Sequence, residues 1–336
     1  MLGMETELSK MKRGLIYTLS KRFFTSVVLL LLLIVFLFFL LRISPGDPVQ
    51  KFVSPLLSNK LAENVKVSFG LDKTLGEQFI IFIKNLIVGN FGISYQYRMP
   101  VLDVIFMFLP FTLLLASVSF IIQIGFGFYL SFITFKRRGG FLDKLLSRFS
   151  LVVYSIPTFV LALVLIYVFS VWLNVLPSAD LRSMEFDDFS FLGKISDYVK
   201  HLILPVLTLS IPGIIIYYKY LRENMDLENN KNYVKYLRSN GFEENTVLWK
   251  HIIPNALGPV VSVAGIELGI LLSGALITEV IFNLPGMGRL TINAILNRDF
   301  PLIIGCTLVS GVLIIIVNFL ADIIRYKIDK RMLVSI

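Results

Sequence analysis

Two carboxylates placed inside long apolar runs, Glu267 and Glu279, are where this 336-residue chain has the means to do chemistry. An ionisable group near the middle of a membrane span costs several kcal/mol unless it is paired or wetted. Glu267 is therefore expected either to face a polar path through the membrane or to hydrogen-bond to a neighbouring helix or partner chain. Glu279 lies nearer the end of the same run, where a side chain reaches the interface more easily, so snorkelling or a contact at an outer gate is expected there. His201 and His251 stand at the borders of apolar runs, with no second histidine or carboxylate read at ligand spacing, which argues against a metal site. Asp180, Glu185, Asp187 and Asp188 crowd one loop and suit either a solvated acidic face or the attraction of a basic solute or partner. No Ser/His/Asp set and no carboxylate pair stands in a catalytic frame, so the residues do not point to an enzyme. Cys306 is the lone cysteine, and an intrachain disulfide is excluded.

The elements that position these residues follow from composition. The chain is 56% hydrophobic and only 16% charged, and its apolar residues gather into runs of about twenty, the length a helix needs to cross roughly 30 Å of hydrocarbon. Such a chain belongs in a lipid bilayer. Six spans are expected, at about 23–41, 108–135, 149–173, 202–218, 256–282 and 301–324. The first follows a basic leader with Lys10, Lys12, Arg13, Lys21 and Arg22. It is too long for the apolar core of a signal peptide and no small-x-small site follows, so it is read as a retained transmembrane helix. Although the formal charge is +9, the Lys and Arg residues lie mostly between apolar runs, a topogenic pattern that gives no reason to expect nucleic acid. Twenty of the thirty-two flank the spans on one side and twelve on the other, which predicts cytoplasmic N- and C-termini.

Two connecting segments have room for structure. The outer one, 42–107, opens on Ser44-Pro45-Gly46-Asp47-Pro48 and contains Thr74-Leu75-Gly76-Glu77, a capping-box pattern. Phe79, Ile80, Phe82, Ile83, Leu86 and Ile87 then recur at helical spacing until Gly89-Asn90, predicting a short amphipathic helix. It needs one dry surface and no ligand. The inner segment, 219–255, predicts a helix through Tyr233 and Arg238, a left-handed turn at Gly241, and a second helix from Phe242 to His251 before Ile253-Pro254. A connection serving topology alone would be shorter, and Phe242, Val247, Leu248 and Trp249 exceed what a solvated turn requires, so a docking unit for a cytoplasmic partner is expected. Pro205 and Pro212 in the fourth span, and Ser262, Gly265, Gly269, Ser273 and Gly274 in the fifth, suit helices that pack closely or line a cavity.

The inner segment resembles the cytoplasmic "EAA" loop of binding-protein-dependent ABC importer permeases, in which a fixed Gly precedes an Ile/Leu-Pro element by about a dozen residues. Gly241 and Ile253-Pro254 keep that spacing, while Lys235-Tyr236-Leu237 replaces the Glu-Ala-Ala. Arg42-Ile43-Ser44-Pro45-Gly46-Asp47-Pro48, Phe69-Gly70-Leu71-Asp72, Asn90-Phe91-Gly92-Ile93-Ser94, Pro100-Val101 and Leu109-Pro110-Phe111-Thr112-Leu113 are similar to the N-terminal half of the B-type permease of dipeptide and oligopeptide (nickel) importers. Glu279 through Arg289 and Asn297-Arg298-Asp299-Phe300-Pro301 are similar to its C-terminal part.

The resemblance implies an all-α membrane protein with the type I ABC importer permease fold. It also implies an N-terminal region (1–107), a permease domain (108–325) with its coupling loop at 219–255, and a cytoplasmic tail (326–336). Such a chain sits in a prokaryotic cell membrane and forms half of a path for peptides, or for similar solutes such as oligosaccharides or nickel complexes. The implied partners are a second homologous permease, two ATPase subunits that bind ATP and Mg, and an extracytoplasmic substrate-binding protein. Tyr233, Arg238, Gly241, Phe242, Ile253 and Pro254 would form the ATPase-coupling loop, and Glu267 and Glu279 would be candidates for the path. Gly193-Lys194-Ile195 does not complete a P-loop, and Thr291 stands where a dinucleotide fingerprint after Gly286-Met287-Gly288 would need glycine, so no nucleotide or other cofactor site is expected here. A self-contained secondary transporter or channel is the rival, but no internal repeat supports it.

Overall fold

The computed structural model describes residues 2–43, 73–272 and 275–328. The turn sequence at 44–48, the stretch at 69–72, Ser273, Gly274 and the tail at 329–336 lie outside the described residues. The first span falls within α1 (Leu2–Ile43). Thr74 and Glu77 form the expected capping box at the start of α2 (Leu75–Ile87), each meeting the other's backbone N–H. The apolar stripe of α2 finds its dry surface on α1, where Phe38 meets the rings of Phe79 and Phe82 at 5.1 and 5.5 Å.

The centre of the bundle is the pair α3 (Val101–Lys136) and α6 (Phe191–Asn229). Small residues let the two backbones approach: a Cβ on Gly127 would come within 2.5 Å of Tyr217 Cβ. Polar side chains then bridge the seam. Ser131 donates to the carbonyls of Gly127 (2.7 Å) and Tyr218 (2.9 Å), and Gln123 donates to Leu209 O at 3.0 Å, beside the break in the hydrogen-bond ladder that Pro212 creates. The fourth span is thus much longer than the predicted 202–218, because its polar flanks continue the helix at both ends.

The third predicted span, 149–173, is not a single rod. Pro157 has no N–H and holds Ile156 in an extended conformation (ψ 122°), so α4 (Phe141–Ser155) stops there. A new helix, α5 (Thr158–Leu165), extended by a π segment at Ile166–Trp172, departs at 104°. Among the described residues, five helices are long and apolar enough to cross a bilayer, and this bent pair makes a sixth if its limbs count as one.

The chain continues through α7 (Asn232–Ser239), α8 (Glu244–Val247), a π segment at Leu248–Ile252 and α9 (Ile253–Leu272). After α10 (Leu276–Ile281) and α11 (Met287–Leu296), it ends with α12 (Phe300–Ile328). α9 lies against α12, where a Cβ on Gly265 would meet Ala321 Cβ at 2.5 Å. α1 packs on the outside of α12, with Arg22 paired to Asp322. At one end of the bundle, Arg222 on α6 reaches Asp143 of α4 (3.5 Å) and Asp226, and Arg138 joins Asp226. Segment 136–148 therefore shares an end with the start of 219–255.

Candidate coupling hairpin and buried carboxylates

α7 ends as its glycine dictates. Gly241 has φ +79°, its N–H bonds Arg238 O (3.0 Å), and the Phe242 N–H reaches back to Leu237 O (3.2 Å), the paired bonds of a left-handed C-terminal cap. A guanidinium clamp spans the turn: Arg238 donates to both carboxylate oxygens of Glu244 (2.6 and 3.0 Å) and to Asn229 Oδ1 (2.7 Å). Tyr233 donates to Glu228 Oε2 at 2.8 Å, and Asn255 on α9 donates to the Tyr233 hydroxyl at 3.3 Å. The root of the hairpin is thereby tied to both α6 and α9. Beneath it, Val234, Val247, Leu248 and Ile252 are buried in one cluster with Tyr217, Leu221 and Met225 of α6.

The second helix of the hairpin is not the separate unit expected from Phe242 to His251. It starts at Glu244 and runs through the π segment into α9, so Ile253-Pro254 joins the helices where a break was expected. The widened turn just before Pro254 absorbs the missing N–H and the bulk of the ring. The hairpin is therefore the end of the same rod that carries Glu267. Three aromatic side chains remain outward on it: Tyr236 is 69% exposed, Phe242 49% and Trp249 55%, the last resting against Phe132 of α3 at 5.1 Å.

Glu267 lies on α9 opposite the Gly265 and Gly269 face that meets α12, half-buried and without a hydrogen bond among the described residues. Glu279, expected to snorkel or face a path, instead is fully buried inside the chain. Thr112 donates to its Oε1 at 2.9 Å, and the backbone N–H of Arg289 donates to Oε2 at 3.0 Å. The Met287 N–H donates in turn to Thr112 Oγ at 2.8 Å. A Cβ on Gly286 would run into this carboxylate, and one on Gly288 would meet the Leu276 backbone and Glu279 Oε2. Arg289 closes the turn by donating to Asn283 O at 2.8 Å.

Asp299, which sequence reasoning did not single out as a site, forms a second buried knot. It accepts from the Ser94 hydroxyl (2.6 Å), the Gln96 N–H (3.0 Å) and the Leu302 N–H at the start of α12 (3.3 Å). The available signal was its place in Asn297-Arg298-Asp299-Phe300-Pro301, an acidic residue just ahead of a helix. The acidic loop is also put to structural use: the Asp180 N–H bonds Phe282 O at 2.9 Å, and Asn283 donates to the Asp180 carboxylate. The reading that His201 lacks a carboxylate neighbour is corrected. Asp197, one turn earlier, lies 3.6 Å from Nδ1 and is held by Ser183.

Residues 15–116 match the N-terminal part, and residues 123–334 the main part, of the binding-protein-dependent transport system inner membrane component. The chain is 38% identical to a putative peptide permease protein of Brucella suis, over 89% of this chain and 93% of that one. It is 32% identical to the oligopeptide transport system permease protein AppB of Bacillus subtilis, over 88% and 92%. In structure it is similar to a chain of the MetNI methionine ABC transporter in an inward-facing conformation, with TM-score 0.53 and 16% identity over 68% of this chain and 97% of that one. That likeness shows the shared helical fold. The chain belongs to the inner-membrane components of binding-protein-dependent transport systems: it is a multi-pass permease subunit of an ABC importer, not an enzyme, and works with an ATPase and a substrate-binding protein.

Proposed function

We propose that this permease forms one half of a peptide path, pairs with a second homologous permease, and receives the energy of ATP through the hairpin built around Gly241. The observation that carries the reading is the two-sided hairpin: its inner face is bound into the bundle by Tyr233, Val234 and Leu248, while Tyr236, Phe242 and Trp249 face outward. Exposed aromatic side chains on a rigid knob suit a protein partner. ATP and Mg belong to two ATPase subunits seated there, the substrate-binding protein docks at the opposite end, and this chain holds no cofactor. Peptides are the substrate class favoured by the relatives' names. The test is co-purification. Tyr236→Ala/Trp249→Ala should retain membrane insertion and lose most of the bound ATPase, whereas full ATPase retention in the double variant would overturn the assignment.

The reading also places the hairpin, Arg137 and both termini in the cytoplasm. With Cys306 replaced by serine, a cysteine at Asp187, which sits in an exposed loop at the far end, should react with an impermeant thiol reagent added to intact cells. One at Arg137 should react only after the membrane is opened. Labelling of position 137 in sealed cells would reverse the orientation.

A further inference from the structure

We infer that α4 lies along the membrane surface at the hairpin's end of the bundle and docks on the anionic lipid headgroups there. The bend at Pro157 supplies the first observation. α5 and the π segment that follows it contribute eight and seven residues, a reach of about 22 Å at 1.5 Å per residue, against roughly 30 Å of hydrocarbon. The shortfall of about 8 Å matches the depth to which a surface helix sinks its apolar face. Phe159, Leu163 and Val171 are exposed along this rod, which suits a lipid-facing span. α4 meets it at 104°, so with α5 crossing the bilayer α4 runs nearly parallel to the membrane plane.

The faces of α4 are the second observation. Asp143 and Ser150 share the side turned to α6, where Asp143 reaches Arg222 at 3.5 Å and Ser150 lines a cavity with Tyr218. Phe141, Leu145, Phe149 and Val152 recur at helical spacing on another side, and all four are exposed. Lys144 and Arg148, one turn apart, flank that stripe and are exposed as well. Asp143 and Asp226 are engaged by Arg222 and Arg138, so the two flanking cations are left to meet anions from outside the chain. An apolar stripe edged by basic residues is the pattern of a helix in the headgroup layer, where each Lys or Arg favours anionic lipid. A protein partner over the same face would have to bury Lys144 and Arg148 or supply carboxylates to them.

The test uses the complete importer in liposomes, in a Cys306→Ala background with no other reactive cysteine, and nitroxides attached at Phe141→Cys or Val152→Cys. Both labels should be more accessible to oxygen than to a water-soluble nickel chelate, and should lie at nearly equal depth. A helix continuing the span would set them about 16 Å apart. A second arm places a bimane fluorophore at Phe149→Cys and compares quenching by acyl-chain nitroxide lipids with phosphatidylglycerol or phosphatidylcholine headgroups. The phosphatidylglycerol lipid should quench about threefold more strongly, and Lys144→Gln/Arg148→Gln should remove the difference. Widely different depths, free access of the nickel chelate to both labels, or labels closed to both probes would each overturn the surface placement; the last outcome would assign α4 to the interface with the second permease. Equal quenching by the two lipids with Lys144 and Arg148 in place would overturn docking on anionic lipid. If Phe149→Cys does not assemble, Leu145→Cys on the same stripe takes its place, and equal quenching there has the same force.

Discussion

Glu279→Ala should destabilise the folded chain by about 3–5 kcal/mol, the cost of removing one member of a buried charged network and leaving the others unpaired. The carboxylate is sealed from solvent, and the Thr112 hydroxyl and the Arg289 amide both point at it from other parts of the chain. In the alanine variant these donors lose their acceptor. Glu279→Gln keeps one acceptor oxygen but turns an amide donor toward other donors, so an intermediate loss is expected. Gly286→Ala attacks the same knot from outside, since its new methyl group would occupy the carboxylate's position. Thermal unfolding of the purified permease in detergent, followed by tryptophan fluorescence, checks all three. Unfolding of Glu279→Ala at the wild-type temperature would mean that the carboxylate does not fix this turn, and its role would return to the path.

Gly241→Val should leave the spans inserted and abolish most substrate-stimulated ATP hydrolysis. No atom lies within 4 Å of a Cβ built at Gly241, so the substitution causes no clash. Its cost is conformational: φ +79° is penalised by about 1–2 kcal/mol for a residue with a Cβ, and by more for a β-branched one. Relief of that strain undoes the bonds from Gly241 to Arg238 and from Phe242 to Leu237, which set the angle between α7 and α8. Because α8 continues into α9, a misaimed hairpin misdirects the same rod that carries Glu267. ATP-driven movement at the hairpin would bias the bundle between its two access states along that route. Gly241→Asn tolerates the left-handed conformation better and should retain most activity. Uptake and stimulated hydrolysis are measured on the same preparations. Wild-type values in Gly241→Val would sink the coupling assignment, whereas equal losses in Val and Asn would point to a steric contact with the ATPase.

Local rules made much of this protein legible in its sequence. The capping box at Thr74 and Glu77 and the left-handed glycine at 241 depend on residues close together in the chain, and each lies where its pattern put it; the hydrophobic runs also fall on helices, although the run at 149–173 bends at Pro157 and the helix through 202–218 extends well beyond it. The motifs at 90–94, 109–113, 279–289 and 297–301 were recognisable as belonging to one family, but not as partners of one another. Only the tertiary structure joins Ser94 to Asp299 across 205 residues and Thr112 to Glu279 across 167. The difference between Glu267 and Glu279 was decided there too. Both are glutamates in an apolar run, and composition gives them the same desolvation cost. The turn from Pro285 to Arg289 folds an amide onto Glu279, while Glu267 sits within α9 and makes no hydrogen bond among the described residues. The proline effects divide in the same way. Pro157 ends its helix through a clash with its own neighbour, which the sequence contains, whereas Pro254 is accommodated by a π turn held in place by buried contacts with α6, which only the packed bundle supplies.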